Sequence, residues 1–313
     1  MTTGSTAMPD WAQAKERSNR FALRFLVWVA LALGRGVARA LLFPVALYFF
    51  ATAPEARRHS RRFLARALGR EPTLAERFRH FHTFATVALD RLFFARGSVG
   101  AFDLHITGGP EHVDTALADG GGAFMLGVHF GSFEALSAVG SSRPGMRVAM
   151  VMYPDNARAI QGVLQAAAPD GRFTVIPIGR PGSTLEIRDW LDSGGLVGLM
   201  GDRHAPGADL RTGGVERSFL GVPARFPDGP LRLAQLLRRR VVFMVGVFRG
   251  GRRYDVVFET LADFRERPQT PAEREAQLHR SIDALVARLE TLCREHPMNW
   301  FNFYDFWGED GSR

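Results

Sequence analysis

The chain has one cysteine, Cys293, and one lysine, Lys15, among 313 residues. The first scarcity excludes an intrachain disulfide and a cysteine-built zinc site, and fits a reducing compartment or a fold that needs no cross-link. The second excludes a Walker A phosphate loop, which needs a Gly-Lys step. No G-x-G-x-x-G follows a strand, since Gly120-Gly121-Gly122 precedes one, and no G-x-S-x-G serine elbow occurs. There is no H-E-x-x-H, so the expectation is no metal and no other cofactor. Zinc-finger, RNP and basic-zipper patterns are absent as well, which argues against nucleic acid as a partner. No uninterrupted apolar run reaches the ~20 residues of a spanning helix.

What the chain does have is uneven charge. Residues 1–100 hold 16 Lys+Arg against 6 Asp+Glu, and the remainder 24 against 26. The basic third also carries the longest apolar stretch. Phe25–Leu33 is apolar, Gly34-Arg35-Gly36 interrupts it, and Ala40–Ala53 follows with Pro44 inside and Thr52 as its one polar residue. Basic plus apolar points to an anionic membrane surface, an acidic protein partner, or both. Three arrangements fit: a helical hairpin whose arginines reach headgroups, a single crossing, or a core helix pair. Downstream, Arg58, Arg62 and Arg66 fall on one helical stripe, beside an apolar side of Phe63, Leu64, Ala67 and Leu68. That stripe suits a membrane surface or a solvated face.

Periodicity divides the chain into a flexible 1–20, a helical membrane-associated region 21–96, and an α/β domain 97–313. In the last, near-continuous apolar runs alternate with helical patterns. Strands are expected at 102–107, 123–128, 147–152, 173–178, 196–200, 241–248 and 254–258. Helices are expected at 111–118, 133–139, 156–167, 183–192, 229–238 and 271–294. This is the pattern of a mixed, largely parallel sheet covered by helices. Loop 201–228 is long and rich in Gly, Pro, Arg and Asp, as functional loops often are.

The chemistry concentrates at Gly127-Val128-His129-Phe130-Gly131-Ser132-Phe133-Glu134, read as buried strand, sharp turn, then helix. Inside one helix, residues five apart point about 140° away from each other. His129 and Glu134 therefore meet only if the histidine sits in the turn and the glutamate in the first helical turn. Imidazole can then take a proton from a hydroxyl or amine while the carboxylate steadies the imidazolium. The plain alternative is a packed histidine and an ordinary first-turn glutamate. A histidine stands where a hydrolase has its serine, so the nucleophile should come from a second substrate, which favours group transfer. His80 and His82 read as interface or surface residues rather than a metal pair.

With these pieces in place, residues 20–308 resemble the lysophospholipid acyltransferase superfamily, and within it the bacterial lipid A biosynthesis acyltransferases of the lauroyl/myristoyl type. The resemblance rests on the apolar, basic N-terminus and on His129 with Glu134 as an H-x4-D/E block. It rests also on Leu196–Arg203 as a strand ending in an acidic residue, and on Phe219-Leu220-Gly221-Val222-Pro223-Ala224 followed by Gly229-Pro230. Pro297–Trp300 with Phe303–Trp307 completes it. One departure stands out: the family's Asp-Gln-Asp-like loop is Gly201-Asp202-Arg203-His204 here.

The resemblance implies acyl transfer from acyl carrier protein or acyl-CoA to a hydroxyl or amine of a lipid or glycolipid. The setting it implies is the cytoplasmic face of the bacterial inner membrane. His129 would be the general base and Glu134 the carboxylate that orients it. Asp202, Arg203, Gly131 and Ser132 would contact substrate, Arg203 through a phosphate; a strand-end salt bridge is the other reading of Asp202 and Arg203. The aromatic C-terminus is either an interfacial patch or a core plug. A thioesterase or lipase on the same architecture, and a non-enzymatic basic membrane-binding protein, are the competing functions.

Overall fold

The computed structural model describes residues 20–141, 146–153, 173–204 and 213–310. Residues 1–19 of the N-terminus expected to be flexible, the helix expected at 156–167 and positions 205–212 of the long loop lie outside the described residues. The chain divides into two compact units. One comprises the residues up to Asp90, Arg203–Pro227 and those from Glu290 onward; the other is Arg91–Asp202 with Asp228–Leu289.

The second unit carries the main sheet. Its strands are β1 (Asp103–Gly108), β2 (Ala123–Gly127), β3 (Val148–Met152), β4 (Phe173–Pro177), β5 (Leu196–Met200), β8 (Arg240–Gly250) and β9 (Arg253–Asp263), in the order β1-β9-β8-β2-β5-β3-β4. Every neighbouring pair is parallel except the β8–β9 hairpin, so the sheet is mixed and largely parallel, as the apolar runs predict. Strands covered on both faces can be apolar throughout, and β2 is buried along its whole length. Helices Pro110–Leu117, Phe133–Ser141, Ser183–Asp192 and Gly229–Leu236 (α4 to α7), and most of Pro271–Glu295 (α8), complete this unit.

The first unit begins with three helices: α1 (Arg20–Thr52), α2 (Pro54–Leu68) and most of α3 (Leu74–Ala95). Gly34, at φ +81°, breaks α1 into two helical pieces. Arg35, one residue on, does not reach outward: its Nε and Nη2 each donate to the buried Asp90 carboxylate at 2.7 Å. Beyond the break, Ala38, Leu42, Ala46 and Phe50 are buried at intervals of four, while Leu33, Val37, Phe43, Leu47 and Tyr48 are exposed on the other side. The segment Ala32–Thr52 is long and apolar enough to cross a membrane, and only 22% of its most apolar stretch is buried, unlike a core helix.

The rest of this unit packs aromatically. Trp300 is 1% exposed and meets Phe63, Phe219 and Phe306 edge-on at 4.9–5.3 Å. The C-terminal aromatic block is therefore a core plug. The hairpin β6 (Val215–Phe219) and β7 (Val222–Phe226) adds Phe219 and Phe226 to it. Sequence reading placed that hairpin inside the long loop. Pro223 demotes a strand, and its turn is Leu220-Gly221, both with positive φ, rather than Asn-Gly. His80 belongs to the same core, not to a surface or interface. Ser60 Oγ lies 2.8 Å from its Nδ1, and its Nε2 lies 2.9 Å from the Trp300 carbonyl. The Arg58, Arg62 and Arg66 stripe pairs within the unit, with Glu309 and Asp310, while Arg58 stays exposed.

Candidate active site

The site grows out of strand register. β2 and β5 are parallel neighbours with Gly127 opposite Met200, and Gly201 N–H donates to the Gly127 carbonyl at 2.9 Å, extending the ladder one step. Both strands stop at the same edge, so the residue two past one stop lies beside the residue two past the other. Those residues are His129 and Asp202. Asp202 Oδ2 accepts the His129 backbone N–H at 3.0 Å, and Oδ1 lies 2.8 Å from the ring Nδ1. The carboxyl ends of strands in open α/β sheets are where ligands bind.

The hydrogen-bond pattern fixes the tautomer. Facing a carboxylate, Nδ1 carries the proton, and Nε2 keeps its lone pair. Asp202 is 1% exposed, whereas the His129 side chain is 35% exposed. The orienting group is buried and the basic nitrogen belongs to a ring that solvent or substrate can reach.

The turn that follows is held from the neighbouring strand. Gly131, at φ +60°, bridges to Gly246 of β8, and Ser132 N–H donates to the Gly246 carbonyl at 2.8 Å. A Cβ at position 246 would meet the Ser132 carbonyl oxygen at 2.4 Å, so the turn can come this close only because that residue is glycine. Ser132 Oγ then accepts the Ala135 N–H at 3.2 Å, capping α5.

Glu134 sits in the first turn of α5, as expected, but its carboxylate has other partners. Ser132 Oγ donates to it at 3.1 Å, and Arg91 Nε lies 3.2 Å away. The ring hydrogen bond assigned to Glu134 from the sequence goes to Asp202 instead. The structure thus brings His129 together with Asp202, and Ser132 with Glu134. Arg203, next in the chain, turns elsewhere: its Nη2 donates to the Phe301 carbonyl at 3.2 Å and its guanidinium lies over the Tyr304 ring. Arg91 and Gly246 went unnoticed in the sequence: only strand adjacency reveals Gly246, and only the ion pair with Glu134 reveals Arg91, which lies on α3. Among the described residues no cluster of His, Cys, Asp and Glu could hold a metal ion.

A comparison with curated proteins finds no match. The sequence does match the family of bacterial lipid A biosynthesis acyltransferases over residues 15–308, nearly its whole length. The mixed, helix-covered sheet, the apolar N-terminal helix and the histidine at the strand edge are set within a chain that belongs to that acyltransferase family.

Proposed function

We propose that the protein transfers a fatty acyl group from an acyl thioester, carried by acyl carrier protein or CoA, to a hydroxyl or amine of a lipid or glycolipid acceptor. The work is done at the cytoplasmic face of the inner membrane, with Ala32–Thr52 in or on the bilayer. The observation that carries this reading is the His129–Asp202 pair, with Nδ1 held by a buried carboxylate and Nε2 left basic.

His129 Nε2 takes the acceptor proton as the acceptor oxygen or nitrogen attacks the thioester carbonyl. Asp202 holds the ring and stabilises the imidazolium that forms. The tetrahedral intermediate collapses with cleavage of the C–S bond, and the imidazolium returns its proton to the leaving thiolate. No acyl-enzyme is required, because the nucleophile belongs to the acceptor. The first amides of α5 are suited to the oxyanion, since a helix N-terminus offers donors that lack intrahelical partners. Glu134 serves the turn rather than the ring. Through Ser132 and Arg91 it fixes the start of α5, and Gly131 and Ser132 border the acyl path. Arg203 has its role in shaping the loop after Asp202.

The test is turnover by the purified protein with an acyl thioester and a lipid extract, followed by mass spectrometry. Wild type should yield acylated lipid, and His129→Ala none. Release of free fatty acid at the same rate without acceptor would replace transfer by hydrolysis. Undiminished product from His129→Ala would refute the mechanism. The acceptor is named by the lipid that disappears from a deletion strain.

A further inference from the structure

The first unit contains a cleft of about 600 Å³ lined by six arginines and one carboxylate, Glu71. Its two sides differ. On one, Arg58, Arg62 and Arg66 are neutralised from within by Asp310 and Glu309. On the other, Arg61 pairs with the exposed Glu71 at 2.8 Å, and Arg57 and Arg77 form no ion pair among the described residues. Instead both lie over a single ring, that of Phe50, at 5.7 and 5.9 Å from its centroid. Arg77 also keeps a buried Nε with no hydrogen-bond partner. Two guanidiniums held at one ring and lining one cleft, one of them with an unanswered donor, form a place where an anion supplies the missing charge and completes hydrogen bonding.

Phe50 identifies the anion's setting. It lies in the last turn of α1, whose segment Ala32–Thr52 is the one described helix long and apolar enough to cross a membrane. Pro54 starts α2 one residue after Ala53, so the cleft opens where that apolar helix ends. With α1 in the bilayer, the cleft stands at headgroup height. We propose that it binds the phosphate of an anionic phospholipid, with Arg57 and Arg77, held in place over the buried Phe50 ring, gripping the phosphodiester oxygens. A concave site of this size suits a headgroup better than a carrier protein, whose docking takes roughly 800 Å² from each partner. The assignment does not depend on the transfer chemistry.

The test is co-sedimentation of the full chain with vesicles of phosphatidylcholine alone and vesicles that also contain phosphatidylglycerol. Wild type should prefer the latter. Arg57→Gln with Arg77→Gln should reduce that preference about tenfold or more, since each interfacial arginine contributes about fivefold. Arg58→Gln with Asp310→Asn removes an internal ion pair at constant net charge and should change it by less than about threefold. If the double variant fails to fold by circular dichroism, Arg57→Gln alone should still cost about fivefold. The proposal is overturned if the Arg57/Arg77 variant keeps its phosphatidylglycerol preference, or if both double variants lose it equally, which would mark a general disturbance of the cleft rather than a grip by Arg57 and Arg77. Retained vesicle binding with weakened binding to acyl carrier protein would overturn it in favour of a protein dock. Because the readout is binding, an inactive enzyme leaves the result intact.

Discussion

Two histidines in this molecule each have an oxygen on Nδ1, yet they are opposites. His129 faces a carboxylate, so its Nδ1 is the donor and its Nε2 a free base on a partly exposed ring. His80 faces a hydroxyl at Nδ1 and a carbonyl at Nε2, so Nε2 carries the proton and Nδ1 accepts from Ser60. It is fully buried and stacks on Phe303 at 4.6 Å. Burial pushes its pKa down to about 4. On the proposed mechanism the same side chain is a reagent in one unit and a fastener in the other. The difference lies in what occupies Nε2 and whether the ring can be reached.

Substitutions can break this contrast. The largest effect belongs to His129→Ala, which should lower turnover by about 10³-fold or more with little change in thermal stability. Asp202→Asn should follow at about 10²–10⁴-fold, because the amide offers the ring a choice of the wrong tautomer. Its signature is a fall in kcat with an altered pH–rate profile. His80→Ala should do the reverse. Activity per folded molecule survives, while denaturant unfolding shows a loss of about 3 kcal/mol from the vacated space and the unsatisfied Ser60 and Trp300 groups.

The buried histidine also sets a pH dependence. Its folded pKa is below the unfolded value, so the unfolded chain binds the proton more readily, and stability falls as pH drops from about 6.5 toward 4. A shift of that size corresponds to about 3 kcal/mol. Subtracting the melting curves of His80→Phe from those of wild type across this range isolates it. The smallest effect is expected for Glu134→Gln, less than about tenfold in turnover, since the amide can still accept from Ser132 and the ring does not rely on it. A larger loss than in Asp202→Asn would return the orienting role to Glu134.

Much of the sheet is legible in the sequence because strands covered on both faces are written as unbroken apolar runs: 123–127, 196–200 and 241–247 need no partner to be seen. His129 is legible for the same reason, standing in a glycine-flanked turn after such a run. The identity of its partner is not. Proximity in sequence offers Glu134, whereas proximity in space depends on β5 lying next to β2 with β3 and β4 beyond it, a fact of strand order. Hairpin β6–β7 is hidden by Pro223 and by short strands with interspersed charges. Arg35 looks like a membrane cation until Asp90, 55 residues away, is placed beside it.

The bond between His129 and Asp202 spans 73 positions of chain. A nascent or half-folded molecule can possess the histidine without possessing an oriented base, because the carboxylate arrives only when β5 has zipped onto β2. On the proposed mechanism, recovery of activity on refolding should therefore lag the recovery of helical signal. A one-residue deletion within 196–201 would silence the enzyme while leaving every reacting group in the polypeptide, since each slip along a strand carries the carboxylate about 3.3 Å and to the opposite face.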